Sequence, residues 1–405
     1  MPLWKRNLLV MVIVQFTATG AFQLVTPFLP FFIVELGITD PQSLKIWTGI
    51  LPSINALFAG LLAPVWGNLS DRYGCKPMLI RSVASVAIFC ALPAFVLNVY
   101  QLLACRVFLG IFSGFSAAAL SLAASITPEH RLGYALGWLQ TGQVLGLVIG
   151  PLLGGALADI FPFRTVFLLA GLLATIGTVL AITLIHEEFH PDNISPAATK
   201  KQKRLHSLFS WPLAIYIMFV VIFLSQFATR GVEPFLPLYV RELAGSKSAL
   251  NTITGTVIAI TGLGMIIAAT VLGRFAPFWG YKHCLLACLA GTALFFIPQA
   301  LIGHVIPLII LRFCQGLFLG GLLPMANSLV GLLITPEKRG SVYGLTSSAF
   351  FLGNFSGPLV GGLWTALFGL RSIFYAASLL LLLNLFWVWW KVQEPQKTIV
   401  KVTLK

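Results

Sequence analysis

Residues 137–155 read GWLQTGQVLGLVIGPLLGG. Gly142, Gly146, Gly150 and Gly154 recur every fourth residue, and on a helix such positions fall along nearly one face. In a water-soluble helix each glycine costs roughly 1 kcal/mol against alanine. Inside a membrane the same spacing lets a second backbone come close, and packing of that kind is what holds membrane helices together. Pro151 removes one backbone donor and bends the segment within the glycine row. The stretch predicts a membrane helix built for close contact and kinked where the contact is made.

The pattern occurs twice. Gly353, Gly357, Pro358, Gly361 and Gly362 stand 207 positions after Gly146, Gly150, Pro151, Gly154 and Gly155. Pro27-Phe28-Leu29-Pro30 returns as Pro234-Phe235-Leu236-Pro237, and Gly67, Gly74 and Lys76 return as Gly273, Gly280 and Lys282. Arg106 and Gly110 return as Arg312 and Gly316, Thr127-Pro128-Glu129 as Thr335-Pro336-Glu337, and Arg164 and Phe167 as Arg371 and Phe374. An offset held at 206–208 over nearly the whole chain means two parallel repeats.

At 58% hydrophobic and 9% charged residues, the chain carries more apolar surface than a soluble domain can bury. Apolar runs of about 20 residues, the length that crosses a bilayer as a helix, recur six times in each repeat. The expected fold is all-α, with twelve transmembrane helices in two six-helix bundles. The first bundle is expected over 1–187, a cytoplasmic linker over 188–210, and the second bundle over 211–405. The polar stretch from about His186 to Ser210 contains His186, Glu187 and His190 near helical spacing, yet nothing else converges on them, and a solvated loop is expected rather than a metal site. Its basic run Lys200–Arg204 suits an anionic lipid surface.

The net charge of +14 does not point to nucleic acid, because the positive residues sit in short loops between apolar runs. Eighteen basic residues, among them Lys5, Arg6, Arg72, Lys76, Arg81, Arg131, the run Lys200–Arg204, Arg274, Lys282 and Lys391, fall in one set of loops, against the five of the opposite set, Lys45, Arg164, Arg241, Lys247 and Arg371. The positive-inside rule then places both termini in the cytoplasm. The six cysteines have no paired spacing and read as small apolar residues or free thiols. The first apolar run is read as a retained span, not a cleaved signal.

Polar residues inside the runs are the site candidates, since such groups must face protein or water. Gln15, Thr19 and Gln23 form one stripe in the first span. Together with Asn55, Gln226, Asn327 and Asn354 they are expected to line a substrate cavity. Arg106 lies one to two turns inside the fourth span. Gln226, Arg230 and Glu233 share a face of the seventh, where Glu233 is the one acid read as lying within a span. A shielded carboxylate can change charge near neutrality, so Glu233, with Arg230 on the same face, is a candidate to take up and release a proton.

Gly67, Leu69, Asp71, Arg72, Gly74 and Lys76, in a turn after the second span, resemble the G-x-L-x-D-R-x-G-(R)-K signature of the major facilitator superfamily. Cys75 stands where an arginine is usual, and the second copy has Pro277 and Phe278 at the acid and arginine positions. Arg106 with Gly110 resembles the family's R-x-x-x-G segment, linked there to proton coupling. Gly142, Gly146, Gly150, Pro151, Gly154 and Gly155 resemble its antiporter signature.

This resemblance covers essentially the whole chain. It implies alternating access, a cytoplasmic latch at Gly67, Asp71, Arg72, Gly74 and Lys76, and export of hydrophobic or amphipathic compounds driven by inward proton flow. The expected partners are such a small molecule, protons and membrane lipid, with no nucleic acid, no metal and no cofactor. A monomer in the cell membrane is expected, and no catalytic residue of an enzyme. Two other readings stay open: export of a specific metabolite or lipid-linked molecule, and a non-transporting membrane sensor on the same fold.

Overall fold

A computed structural model describes residues 2–187, 213–245, 249–332 and 339–392. The expected linker 188–210 with Lys200–Arg204 and His190, the loop residues Lys247 and Thr335-Pro336-Glu337, and the chain beyond 392 lie outside the described residues.

Apolar runs in lipid must satisfy every backbone N–H and C=O within the run, and a helix does so. The described spans are α1 (Leu3–Glu35), α2 (Pro41–Tyr73), α3 (Cys75–Phe95), α4 (Val99–Ile126), α5 (Leu132–Ile160) and α6 (Phe163–Leu184). The second set is α7 (Leu213–Ala244), α8 (Leu250–Trp279), α9 (Tyr281–Leu301), α10 (Val305–Leu332), α11 (Arg339–Phe368) and α12 (Ser372–Lys391). Eleven of them are long and apolar enough to cross a membrane. The other, α11, has 30 residues, with its apolar character diluted by glycine, serine and Asn354.

The packing is duplicated as the sequence is. Helix α1 packs on α5 and α6, α2 on α4, and α3 on α6; α7 packs on α11 and α12, α8 on α10, and α9 on α12. Prolines shape equivalent points: α1 passes through a tight turn at Thr26–Phe28 and α7 through one at Glu233–Phe235. Asp40 caps α2, accepting a hydrogen bond from the Ser43 N–H at 2.7 Å. Hydrogen bonds from Ser43 hold this carboxyl below its ordinary value.

The halves meet through α2 against α11 and α5 against α8. These contacts lie toward the rim that carries Asp40, Asn98 and Phe161, called here the far rim. Gly49 abuts the Pro358 backbone, Gly155 the Asn251 backbone and Gly255 the Pro151 backbone. Phe28 and Phe31 of α1 close the same side against Leu238 of α7, with Leu44, Phe163, Leu250 and Leu370 around them. Toward the opposite, basic rim, a side chain built on Gly67, Gly133, Gly137, Gly273 or Gly344 would meet nothing within 4 Å. The two halves are closed on each other at the far rim.

Candidate functional site

Helix α5 carries two contact edges. Its row Gly142, Gly146, Gly150 and Gly154 lies on α1 of its own half: a Cβ on Gly150 would sit 2.8 Å from Gln23 Cβ, and one on Gly154 would overlap the Leu24 carbonyl oxygen. Pro151 and Gly155 face the other way, onto Gly255 and Asn251 of α8. Helix α11 repeats the arrangement, with Gly353, Gly357 and Gly361 on α7 and Pro358 with Gly362 on α2. One helix in each half is thus both built into its own bundle and pressed on the opposite one.

The same packing locates the polar stripe. Gln15 and Thr19 are only 3% and 7% exposed, inside the α1 seam. Gln15 donates from Nε2 to Ser116 Oγ at 2.8 Å, and Thr19 lies against Gly146. Gln226 is also buried, beside Gly353. Gln23, Asn55, Asn327 and Asn354 are half-buried; Asn55 presents its backbone to Gly110, and the Asn327 carbonyl accepts from Tyr343 Oη at 3.3 Å. Helix contacts, not an open wall, take the first two residues of the stripe, Gln15 against Ser116 of α4 and Thr19 against the glycine row of α5.

Helix α2 continues past the expected turn to Tyr73, so Gly67, Asp71 and Arg72 are helical and only Gly74, at φ 93°, makes the corner. Asp71 is exposed and has no ion-pair partner among the described residues. The start of α3 is capped instead by Glu187, whose carboxylate accepts from the Cys75 N–H at 2.9 Å and the Lys76 N–H at 2.7 Å. Lys76 Nζ reaches the Ile182 carbonyl at 3.2 Å. Glu187 is therefore a structural cap, whereas the sequence placed it in a solvated loop.

The two repeated arginines have diverged. Arg312 is 6% exposed and donates to Gln315 Oε1 at 3.0 Å. Gln299 Nε2 donates to the same oxygen at 3.0 Å, and Tyr239 Oη donates to the Gln299 carbonyl. In the first half the matching positions are Leu109, Pro93 and Phe32. Arg106, 1% exposed, has no protein acceptor for Nε or Nη2 and lies beside Cys90 and Cys105. Glu233 pairs with Arg230, both half-exposed, and its charge acts on Arg312. The structure thus pairs Glu233 with Arg230, and does not bring it to Arg106.

Helix α4 breaks at 112–114, with Gly114 at φ 112°. The carbonyls freed by the break find side-chain donors from the neighbouring helices. Trp66 Nε1 donates to Ile111 O at 2.7 Å, Ser85 Oγ to Phe112 O at 3.1 Å and Arg81 Nη2 to Ser113 O at 3.2 Å. The Arg81 guanidinium stacks 3.4 Å over the Trp66 ring. Arg81 was counted among loop cations, but it lies within α3 and serves this break. The signal was available in the repeat: Leu272, Ala287 and Gly291 replace Trp66, Arg81 and Ser85, and α10 runs unbroken.

The sequence profile of the major facilitator superfamily matches residues 11–252 and 218–403, nearly the whole chain. The chain belongs to the major facilitator superfamily. Among curated relatives, Multidrug resistance protein MdtG of Proteus mirabilis (strain HI4320) is 36% identical over 394 residues, covering 97% of this chain and 98% of that one. Multidrug resistance protein MdtG of Rahnella sp. (strain Y9602) is 36% identical, covering 96% and 94%. Two solved structures share the fold. The human organic anion transporter MFSD10 (TETRAN) superposes with a TM-score of 0.70 at 20% identity, covering 96% of this chain and 100% of that one. A bacterial homologue of the human lysosomal transporter Spinster, in an inward-facing and occupied conformation, gives 0.74 at 15% identity, covering 96% and 97%. As a facilitator-superfamily member the chain is a multi-pass membrane transporter and not an enzyme.

Proposed function

We propose that this transporter is a multidrug exporter: it moves hydrophobic or amphipathic compounds out of the cell by alternating access, in exchange for protons. The observation that carries the reading is the double-edged α5, whose glycine row holds α1 while Pro151 and Gly155 bear on α8 across the boundary. Such a helix lets one half rock on the other without loosening either bundle. Proteins sharing about a third of their residues with this chain over nearly its whole length bear the name multidrug resistance protein.

The basic rim is cytoplasmic, by the positive-inside rule, so both termini are cytoplasmic in the inner membrane and the described state is inward-facing. Substrate enters between the halves from that side, where the half-buried amides Gln23, Asn55, Asn327 and Asn354 add sparse polar contacts to an apolar surface. A surface of that kind holds greasy molecules by area burial more than by hydrogen-bond readout. Asp71, Arg72 and Lys76 form a latch that engages only when the basic rim closes. Glu233 carries the proton, and Arg230 and Arg312 compete for its charged form. The protein works as a monomer.

The test is purified protein in liposomes loaded with an amphipathic fluorescent dye under an imposed pH gradient. Dye movement opposite to the proton gradient, abolished when the gradient is collapsed, supports the reading. Dye that stays put, or moves equally without a gradient, overturns it.

A further inference from the structure

Helix α8 begins without a cap of its own. Its N-cap position is Ala249, which has no side-chain acceptor and sits at φ 70°, the sole non-glycine residue with positive φ among those described. The equivalent helix of the first half, α2, carries Asp40 at its N-cap. The first-turn N–H groups of a helix need acceptors, and a carboxylate there also meets the positive end of the helix dipole.

For α8 the acceptor comes from the opposite half. Asp159, in the last turn of α5, accepts from the Asn251 N–H at 3.0 Å, from Asn251 Nδ2 at 3.0 Å and from the Thr252 N–H at 2.8 Å. Asn251 Nδ2 also reaches the Ala158 carbonyl at 3.3 Å. One turn deeper, Gly155 abuts the Asn251 backbone. The mirror interface, α11 on α2, keeps the glycine contact of Gly362 with Lys45 but has Ala366 where Asp159 would fall. Among the described residues the clasp exists once, at α5–α8.

We infer that Asp159 is a positioning residue of the transport cycle, an inter-half clasp that holds the far rim closed by capping α8 from the other bundle. When α5 and α8 part at the far rim, α8 loses its cap, so opening on that side carries the cost of an uncapped helix. The inference rests on the alternation of halves proposed above.

The test reads far-rim opening directly. Leu238, in the apolar plug and buried, is replaced by cysteine in a chain whose six native cysteines are removed. Its labelling rate with a maleimide is measured in nanodiscs, without substrate or pH gradient, so a failure of proton-driven export leaves this test standing. Loss of a cap of this type shifts an equilibrium by about fivefold to thirtyfold. Asp159→Ala is expected to speed labelling by that factor, with Asp159→Glu closer to the parent. A second variant separates clasp from cap: Ala249→Asp added to Asp159→Ala gives α8 its own acceptor. Thermal stability is then expected to recover while labelling stays fast. Unchanged labelling in Asp159→Ala overturns the inference, as does a return of the double variant to the parent rate, which would make Asp159 a helix cap and nothing more.

Discussion

Gly154 and Gly155 are chain neighbours with different partners, and alanine at each should have different consequences. A Cβ on Gly154 overlaps the carbonyl oxygen of Leu24, within the first bundle; a Cβ on Gly155 overlaps that of Asn251, across the boundary. Overpacking costs about 1–3 kcal/mol, and a backbone carbonyl cannot rotate away. Alanine's better helix propensity returns up to ~1 kcal/mol in either variant. For Gly154→Ala the α1–α5 contact persists throughout the cycle, so the remainder, about 0–2 kcal/mol, is lost from the stability of the bundle. For Gly155→Ala the overlap exists only while the far rim is closed. The propensity gain is common to both conformations and cancels, so the open-to-closed ratio rises by about 5–150-fold. Spin labels at Leu97 and Leu301, exposed at the far rim on opposite halves, read the distance distribution, and thermal unfolding in detergent reads stability. A longer far-rim distance in Gly155→Ala alone, with lowered stability in Gly154→Ala, is the expected pair. If both variants lose stability equally and neither changes the distance, the two-edged account of α5 is wrong.

Three further outcomes are expected. Glu187→Ala removes both acceptors at the start of α3 and should lower unfolding stability by about 0.5–2 kcal/mol, with Glu187→Gln losing less; an unchanged unfolding midpoint would contradict the capping role. Asp71→Asn should leave the stability of the inward-facing state within about 0.5 kcal/mol, because Asp71 is exposed and unpaired there among the described residues, yet impair transport; a wild-type transport rate would remove the latch. Glu233→Gln should abolish gradient-driven efflux while substrate binding, measured by dye fluorescence, persists; efflux with its pH dependence intact would send the proton by another route.

The duplication, the twelve spans and the glycine row of α5 were legible in the sequence because each is periodic: a fixed offset, a fixed length or a fixed spacing. Periodicity says which face of a helix is used and is silent on what meets it. It could not tell that Gly154 faces α1 and Gly155 faces α8, or that Gln15 is buried against α4 and Thr19 against the glycines instead of lining an open wall. Contacts between remote positions were the least legible. Asp159 with Asn251, Glu187 with the start of α3, and Arg81 with the α4 carbonyls each pair ordinary residues whose spacing carries no pattern. Hydropathy alone also missed the length of α2, since Asp71 and Arg72 are polar yet continue the helix to Tyr73. Comparing the repeats position by position recovers part of this: Leu109, Pro93 and Phe32 against Gln315, Gln299 and Tyr239 mark the half in which the buried arginine has lost its polar partners.

Alternation of the two halves is tested most directly by measuring both rims in one preparation. Spin-label pairs at Leu97 with Leu301 and at Tyr73 with Trp279, the latter two exposed at the basic-rim ends of α2 and α8, are followed in liposomes during gradient-driven dye transport. The far-rim distance is expected to lengthen in the same fraction of molecules in which the basic-rim distance shortens. Transport with both distances fixed, or with one rim moving while the other stays as it is, would contradict alternating access by these two bundles.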